Sequence, residues 1–135
     1  MNGRLDLNSS TFSRRFDGPI DFQKLLHRCR GNESFVRDLV ATFQQKINED
    51  VALLEKALDR KDAQQIAAVA HRVKGTAANL AADGIREAAE QIEQNAWSEE
   101  FTQIPRWLLR FKTEGLRLSQ ILNDGAQHRF DPVDS

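Results

Sequence analysis

With 135 residues, 40% hydrophobic and 29% charged, the chain has the size and polarity of one globular domain, which excludes a disordered polymer and a pair of ordinary domains. A formal net charge of −1, with Lys and Arg scattered among Asp and Glu, leaves no basic stripe and argues against nucleic-acid binding. The apolar runs are too short to enter a membrane, residues 1–10 lack the apolar core of a secretory leader, and a lone Cys29 makes no internal disulfide, so a reducing cytoplasm is the expected home.

Composition favours helix: Ala, Leu, Gln, Glu and Arg abound, prolines are confined to Pro19, Pro105 and Pro132, and tyrosine is absent. Residues 1–18 are polar and aperiodic and are expected to form a flexible tail or linker, as are residues 124–135, leaving a domain at 19–123. The first helix is expected over 21–30, with Phe22, Leu25, Leu26 and Cys29 on its inner face and Gly31 as its stop. Cys29 fits there as a small buried hydrophobe.

The second helix runs over 33–60 behind an Asn32 N-cap, with Val36, Val40, Phe43, Ile47, Val51, Leu54 and Leu58 at steps of three and four. Gln44, Gln45, Lys46, Glu49 and Asp50 then form its solvent face. The third begins at Asp62, which with Gln65 resembles a capping box, and buries Ile66, Ala70, Val73, Ala77 and Leu80 until Asp83 and Gly84 break it. The fourth spans 84–95 around Ile85, Ala88, Ala89 and Ile92. A connector over 96–103, with a short turn capped by Ser98, leads to a fifth helix starting near Pro105 and carrying Ile104, Leu108, Phe111, Gly115, Leu118 and Leu122. Trp97 and Trp107 fit either the core, the better choice, or a partner contact. Amphipathic helices with short links predict an all-α fold, an antiparallel up-down-up-down four-helix bundle with a short extra N-terminal helix.

His71 does not fit a structural role. At about 100° per residue it lies away from the stripe through Ala70, Val73 and Ala77. Its surroundings are Ala67, Ala68, Lys74, Gly75 and Ala78, where a solvent face would carry Glu, Lys and Gln. Gly75, one turn on, costs about 1 kcal/mol relative to alanine and clears room for another surface. Lys74 brings a cation within reach of a group attached to the ring. Imidazole is a competent nucleophile that is partly unprotonated near neutral pH.

The run Ala70-His71-Arg72-Val73-Lys74-Gly75-Thr76-Ala77-Ala78-Asn79-Leu80 resembles the phosphorylation motif of histidine-containing phosphotransfer (HPt) domains, A-H-x-[LIV]-K-G-[ST], and the resemblance extends over residues 21–122. It implies that His71 accepts a phosphoryl group through Nε2, that Lys74 assists the phosphoryl oxygens, and that Gly75 admits the partner, with Ala67, Ala68, Arg72 and Ala78 on the docking face. Family members often place a glutamine on the next helix to orient the imidazole; Glu93 stands there in this chain. Ala81 replaces a common glycine, which bears on the helix end, and Thr76 replaces serine.

The resemblance further implies a two-component phosphorelay. Response-regulator receiver domains, with a sensor or hybrid histidine kinase, would be the partners and would supply Mg²⁺. The chain itself would be a monomeric cytoplasmic carrier without cofactor, metal or kinase activity, and it carries no glycine-rich phosphate loop. Three alternatives stand beside this one. A metal-binding bundle lacks any Glu-x-x-His pair at His27, His71 or His128. A bundle of the same fold could act only as a protein-docking module. The chain could also be the phosphotransfer module of a chemotaxis-type or hybrid kinase.

Overall fold

The structure, a computed structural model, describes residues 18–130, with residues 125–130 described by their backbone alone. The expected N-terminal tail therefore lies outside the described residues except for Gly18. Among the described residues there are five α-helices, one 3₁₀ turn and no strand. In chain order they are α1 (Phe22–Arg28), α2 (Glu33–Asp59), α3 (Ala63–Asn79), α4 (Asp83–Trp97), the 3₁₀ turn Phe101–Gln103, and α5 (Ile104–Phe130).

Each start is set by local chemistry. Asp21, Asn32 and Asp62 accept hydrogen bonds from the backbone N–H groups of Lys24, Phe35 and Gln65 at 3.1, 3.0 and 3.1 Å, each satisfying a donor that the first helical turn leaves free. The capping box expected at Asp62 is only half made. Asp62 N–H is already spent on Ala57 O at 2.9 Å, closing the end of α2.

The helix ends share one device. In each case a residue with left-handed backbone is followed by an N–H that reaches back five residues, the Schellman arrangement. Arg30 (φ 57°), Lys61 (52°), Ala81 (58°) and Glu99 (57°) occupy the left-handed position, and the returning bonds are Gly31 N–H to Leu26 O, Asp62 N–H to Ala57 O, Ala82 N–H to Ala77 O and Glu100 N–H to Asn95 O, at 2.8–2.9 Å. Gly31 was the expected stop of α1, but Arg30 makes the turn one residue earlier. Similarly α3 ends at Asn79 through Ala81, and Asp83 and Gly84 belong to α4 rather than breaking α3. The short turn is not capped by Ser98, whose hydroxyl donates to Gln94 O at 2.7 Å at the end of α4. The backbone of α5 is helical to Phe130, so the tail boundary expected at residue 124 is not a helix end.

The core contains Ile20, Val40, Ile47, Leu54, Ile66, Ile85, Ile92, Ile104, Phe111 and Leu118, each at most 1% exposed. Each helix from α2 to α5 packs on the next, and α5 packs back on α2, which closes the ring around this core. The most extensive packing is between α3 and α4. Half of the buried side chains on each are alanine, Ala67, Ala70 and Ala77 on α3 and Ala88, Ala89 and Ala96 on α4, all at most 1% exposed. Small side chains let two helices approach closely. This brings polar groups on the outer shoulders of α3 and α4 within hydrogen-bonding reach. Helix α1 is fastened to the far end of α3: Arg28 donates to Ala78 O and Asn79 O at 3.0 and 2.9 Å, a cation at a helix C-terminus, and Asp21 N–H donates to Ala81 O at 2.9 Å.

Two carboxylates lie inside, one of them, Asp50, expected on the solvent face. Asp50 is only 2% exposed, because it lies three residues after Ile47 and four before Leu54, on the stripe itself. Glu114, 6% exposed, repeats the pattern between Phe111 and Leu118. Conversely, Trp97 is 63% exposed and is not a core residue, whereas Trp107 packs partly buried against the core with the Arg106 guanidinium 5.0 Å from its ring centre. Cys29 is half-buried against the core edge.

Candidate functional site

Midway along α3, the His71 side chain is 70% exposed. Its Nδ1 lies 3.0 Å from Oε2 of Glu93 on α4. The other carboxylate oxygen, Oε1, accepts from Lys74 Nζ at 2.8 Å. One carboxylate, itself only 17% exposed, therefore holds both the imidazole and the lysine. Burial opposes ionisation of Glu93, but the hydrogen bonds from Lys74 and His71, with their charges, outweigh it and hold the carboxyl below its usual range.

The tautomer follows. An ionised carboxylate can only accept hydrogen bonds, so Nδ1 carries the hydrogen and donates it. In the neutral ring this leaves the lone pair on Nε2, the nitrogen farther from Glu93, on a largely exposed imidazole. Such an arrangement presents a nucleophile of fixed tautomer to whatever approaches the α3 surface.

The approach is open. Gly75 is exposed, and a methyl group built on its Cα meets nothing within 4 Å. Among the described residues no contact requires glycine there, in contrast to Gly84, where the same methyl would stand 3.1 Å from Arg110 Nη2, and Gly115, 3.3 Å from Ile47 Cγ2. Ala68 and Ala78 are exposed beside His71 and Gly75. Ala67, expected on the docking face, is 1% exposed and is instead part of the buried core, so it offers no surface to a partner.

Arg72 is half-exposed, and its Nη2 donates to Oδ1 of the buried Asp50 at 2.6 Å; Lys46 Nζ lies 3.9 Å from the same oxygen. Arg72 thus leans toward α2, on the other side of α3 from Glu93, and answers a carboxylate that would otherwise be buried alone. Asp50 went unrecognised in the sequence although its place in the three-and-four spacing carried the signal. Among the described residues, no three His, Cys, Asp or Glu side chains come together as a cation site, and no helix is long and apolar enough to cross a membrane.

Comparison with known proteins gives one match. The family model described as "Hpt domain" matches residues 38–120, which contain α3, α4, His71, Lys74, Gly75 and Glu93. No curated protein and no solved structure matches the chain.

Proposed function

The chain belongs to the Hpt domain family, whose members are phosphocarrier modules of two-component signalling rather than autonomous kinases, and on that premise we propose that it carries a phosphoryl group on Nε2 of His71 between receiver domains. The observation that carries this proposal is the exposed imidazole bound through Nδ1 to the ionised Glu93, beside the open surface at Gly75.

In the transfer step the Nε2 lone pair attacks phosphorus of a receiver's aspartyl phosphate. The bond from phosphorus to the carboxylate oxygen breaks, and its electron pair leaves with the aspartate. No proton needs to move, because Nδ1 already holds one; the ring becomes cationic and Glu93 faces that charge at 3.0 Å. Glu93 is a positioning residue in this scheme. Lys74 is shared between Glu93 and the incoming phosphoryl oxygens. Ala68, Gly75 and Ala78 give access, and Arg72 borders the docking face while bound to Asp50.

The receiver domain supplies Mg²⁺ and the aspartate, and a sensor or hybrid kinase supplies phosphate to the relay; the carrier needs no cofactor of its own. Its scaffold is the antiparallel up-down-up-down four-helix bundle with a short extra N-terminal helix, supported by the tight turns and the closed order of neighbours. It works as a cytoplasmic monomer.

Incubation with a ³²P-labelled phospho-receiver, and separately with a kinase domain and labelled ATP, tests the proposal. Label is expected on the wild type and not on His71→Gln. An unlabelled wild type with both donors, or equal label on His71→Gln, overturns it.

A further inference from the structure

Trp97 closes α4 with 63% of its surface in solvent, joint highest among the exposed large hydrophobic residues of the described chain. Packing does not require it: the same helical turn is seated by Ala96 and Asn95, which are 0% and 9% exposed. A bulky indole left outside the core is an unspent apolar surface, since aromatic side chains bury roughly 150–250 Å² when they find a partner.

Its position on the helix is specific. Arg86, Glu90, Glu93 and Trp97 follow one another at steps of three and four and share one shoulder of α4. That shoulder faces α3, because Glu93 meets His71 and Lys74. The opposite shoulder, with Gly84 and Glu87, meets Arg110 and Glu114 of α5. The three-residue link from Asn79 to Asp83 makes α3 and α4 a hairpin of antiparallel helices. Passing one turn beyond Glu93, about 6 Å along the axis, therefore leads toward the start of α3, where Gln64 and Ala68 are exposed. Trp97 continues the surface on which His71 lies.

The identity of the occupant follows from size. A protein that docks on His71 through an ordinary interface covers about 800 Å² of this chain, a disc of roughly 16 Å radius. Trp97 falls inside that disc. We infer that Trp97 is a docking anchor for the receiver domain that exchanges phosphate with His71, its indole entering an apolar patch beside that domain's phosphorylated aspartate. The inference rests on the proposed carrier role. Tryptophan is enriched among residues that dominate interface energies.

The test compares wild type with Trp97→Ala in two reactions, with thermal unfolding as the control for folding. Phosphoramidate, a donor too small to dock, should label His71 at the same rate in both. With a phospho-receiver as donor, KM should rise by at least about tenfold in Trp97→Ala while kcat stays within about twofold, the pattern of lost uniform binding. An unchanged KM overturns the inference and leaves the carrier role standing. Slower labelling by phosphoramidate also overturns it, by showing that Trp97 supports the site itself. Conversion of a dimer to a monomer in sedimentation assigns the indole to a second copy of this chain and overturns it as well. Absence of label on wild-type His71 with both donors overturns the carrier role and the inference together.

Discussion

Glycine at position 75 carries a measurable tension between stability and access. The residue sits mid-helix, exposed, with open space where a side chain would stand. Gly75→Ala should therefore stabilise the fold by about 1 kcal/mol, the ordinary helix-propensity difference, as read from urea unfolding. Gly75→Gln should fold as well as the wild type but lose transfer from a phospho-receiver; normal transfer by that variant would remove the access argument. Glu93 adds a pH signature. Its carboxyl is held below the ordinary value of 4.5 in the fold, so its contribution to stability is fully present above that value and is lost as pH falls through the folded value. Unfolding midpoints of wild type and Glu93→Gln should thus converge as pH drops below 4.5, and parallel curves would show that Glu93 gains nothing from Lys74 and His71. At this scale the sequence was legible where residue type is diagnostic: His71, Lys74 and Gly75 stand out by type and spacing. It was less legible where burial decides. Nothing local distinguishes Ala67, which is buried, from Ala68, which is exposed; they differ by 100° of helix rotation and by the presence of α4.

The helix ends are the elements in which the chain departs most from the residues its geometry favours. Four non-glycine residues hold left-handed backbone at the ends of α1 to α4. That conformation costs an L-residue roughly 1–2 kcal/mol, partly offset for glycine by its freer unfolded chain. Lys61 is exposed, so Lys61→Gly should gain about 0.5–1 kcal/mol. Ala81 is 3% exposed, and Ala81→Gly also loses a buried methyl worth about 0.8 kcal/mol; its net change should lie near zero. Chemical denaturation of both variants checks the pair, and equal gains would show that the Ala81 methyl contributes nothing. Helix starts were readable because Asp and Asn announce themselves as caps. Helix ends were not, because Gly31 and Gly84 drew the boundary while Arg30 and Ala81 made the turn. The same bias hid Asp50 and Glu114: a carboxylate on a stripe reads as solvent until a partner such as Arg72 is seen across the interface.

At the scale of the molecule, the all-helical fold followed from composition and periodicity, since apolar steps of three and four fix which face each helix turns inward. What periodicity could not supply was the meeting of elements distant in sequence, such as Arg28 on the end of α3 or Ile47 against Gly115. Two such meetings set how the molecule encounters a charged partner. Lys74 is answered by Glu93 and Arg72 by Asp50, so the charges beside His71 on α3 are paired in a chain whose formal charge is −1. A surface neutralised in this way throws little field beyond a Debye length. Its encounters with a receiver should then be governed by diffusion and shape, and stopped-flow association rates should change by less than about threefold between 50 and 500 mM salt, whereas steered pairs fall steeply over that range. A steep fall would locate a steering charge elsewhere on the molecule. If the rates hold, the molecule meets its partners at a pace that the ionic content of its surroundings scarcely alters.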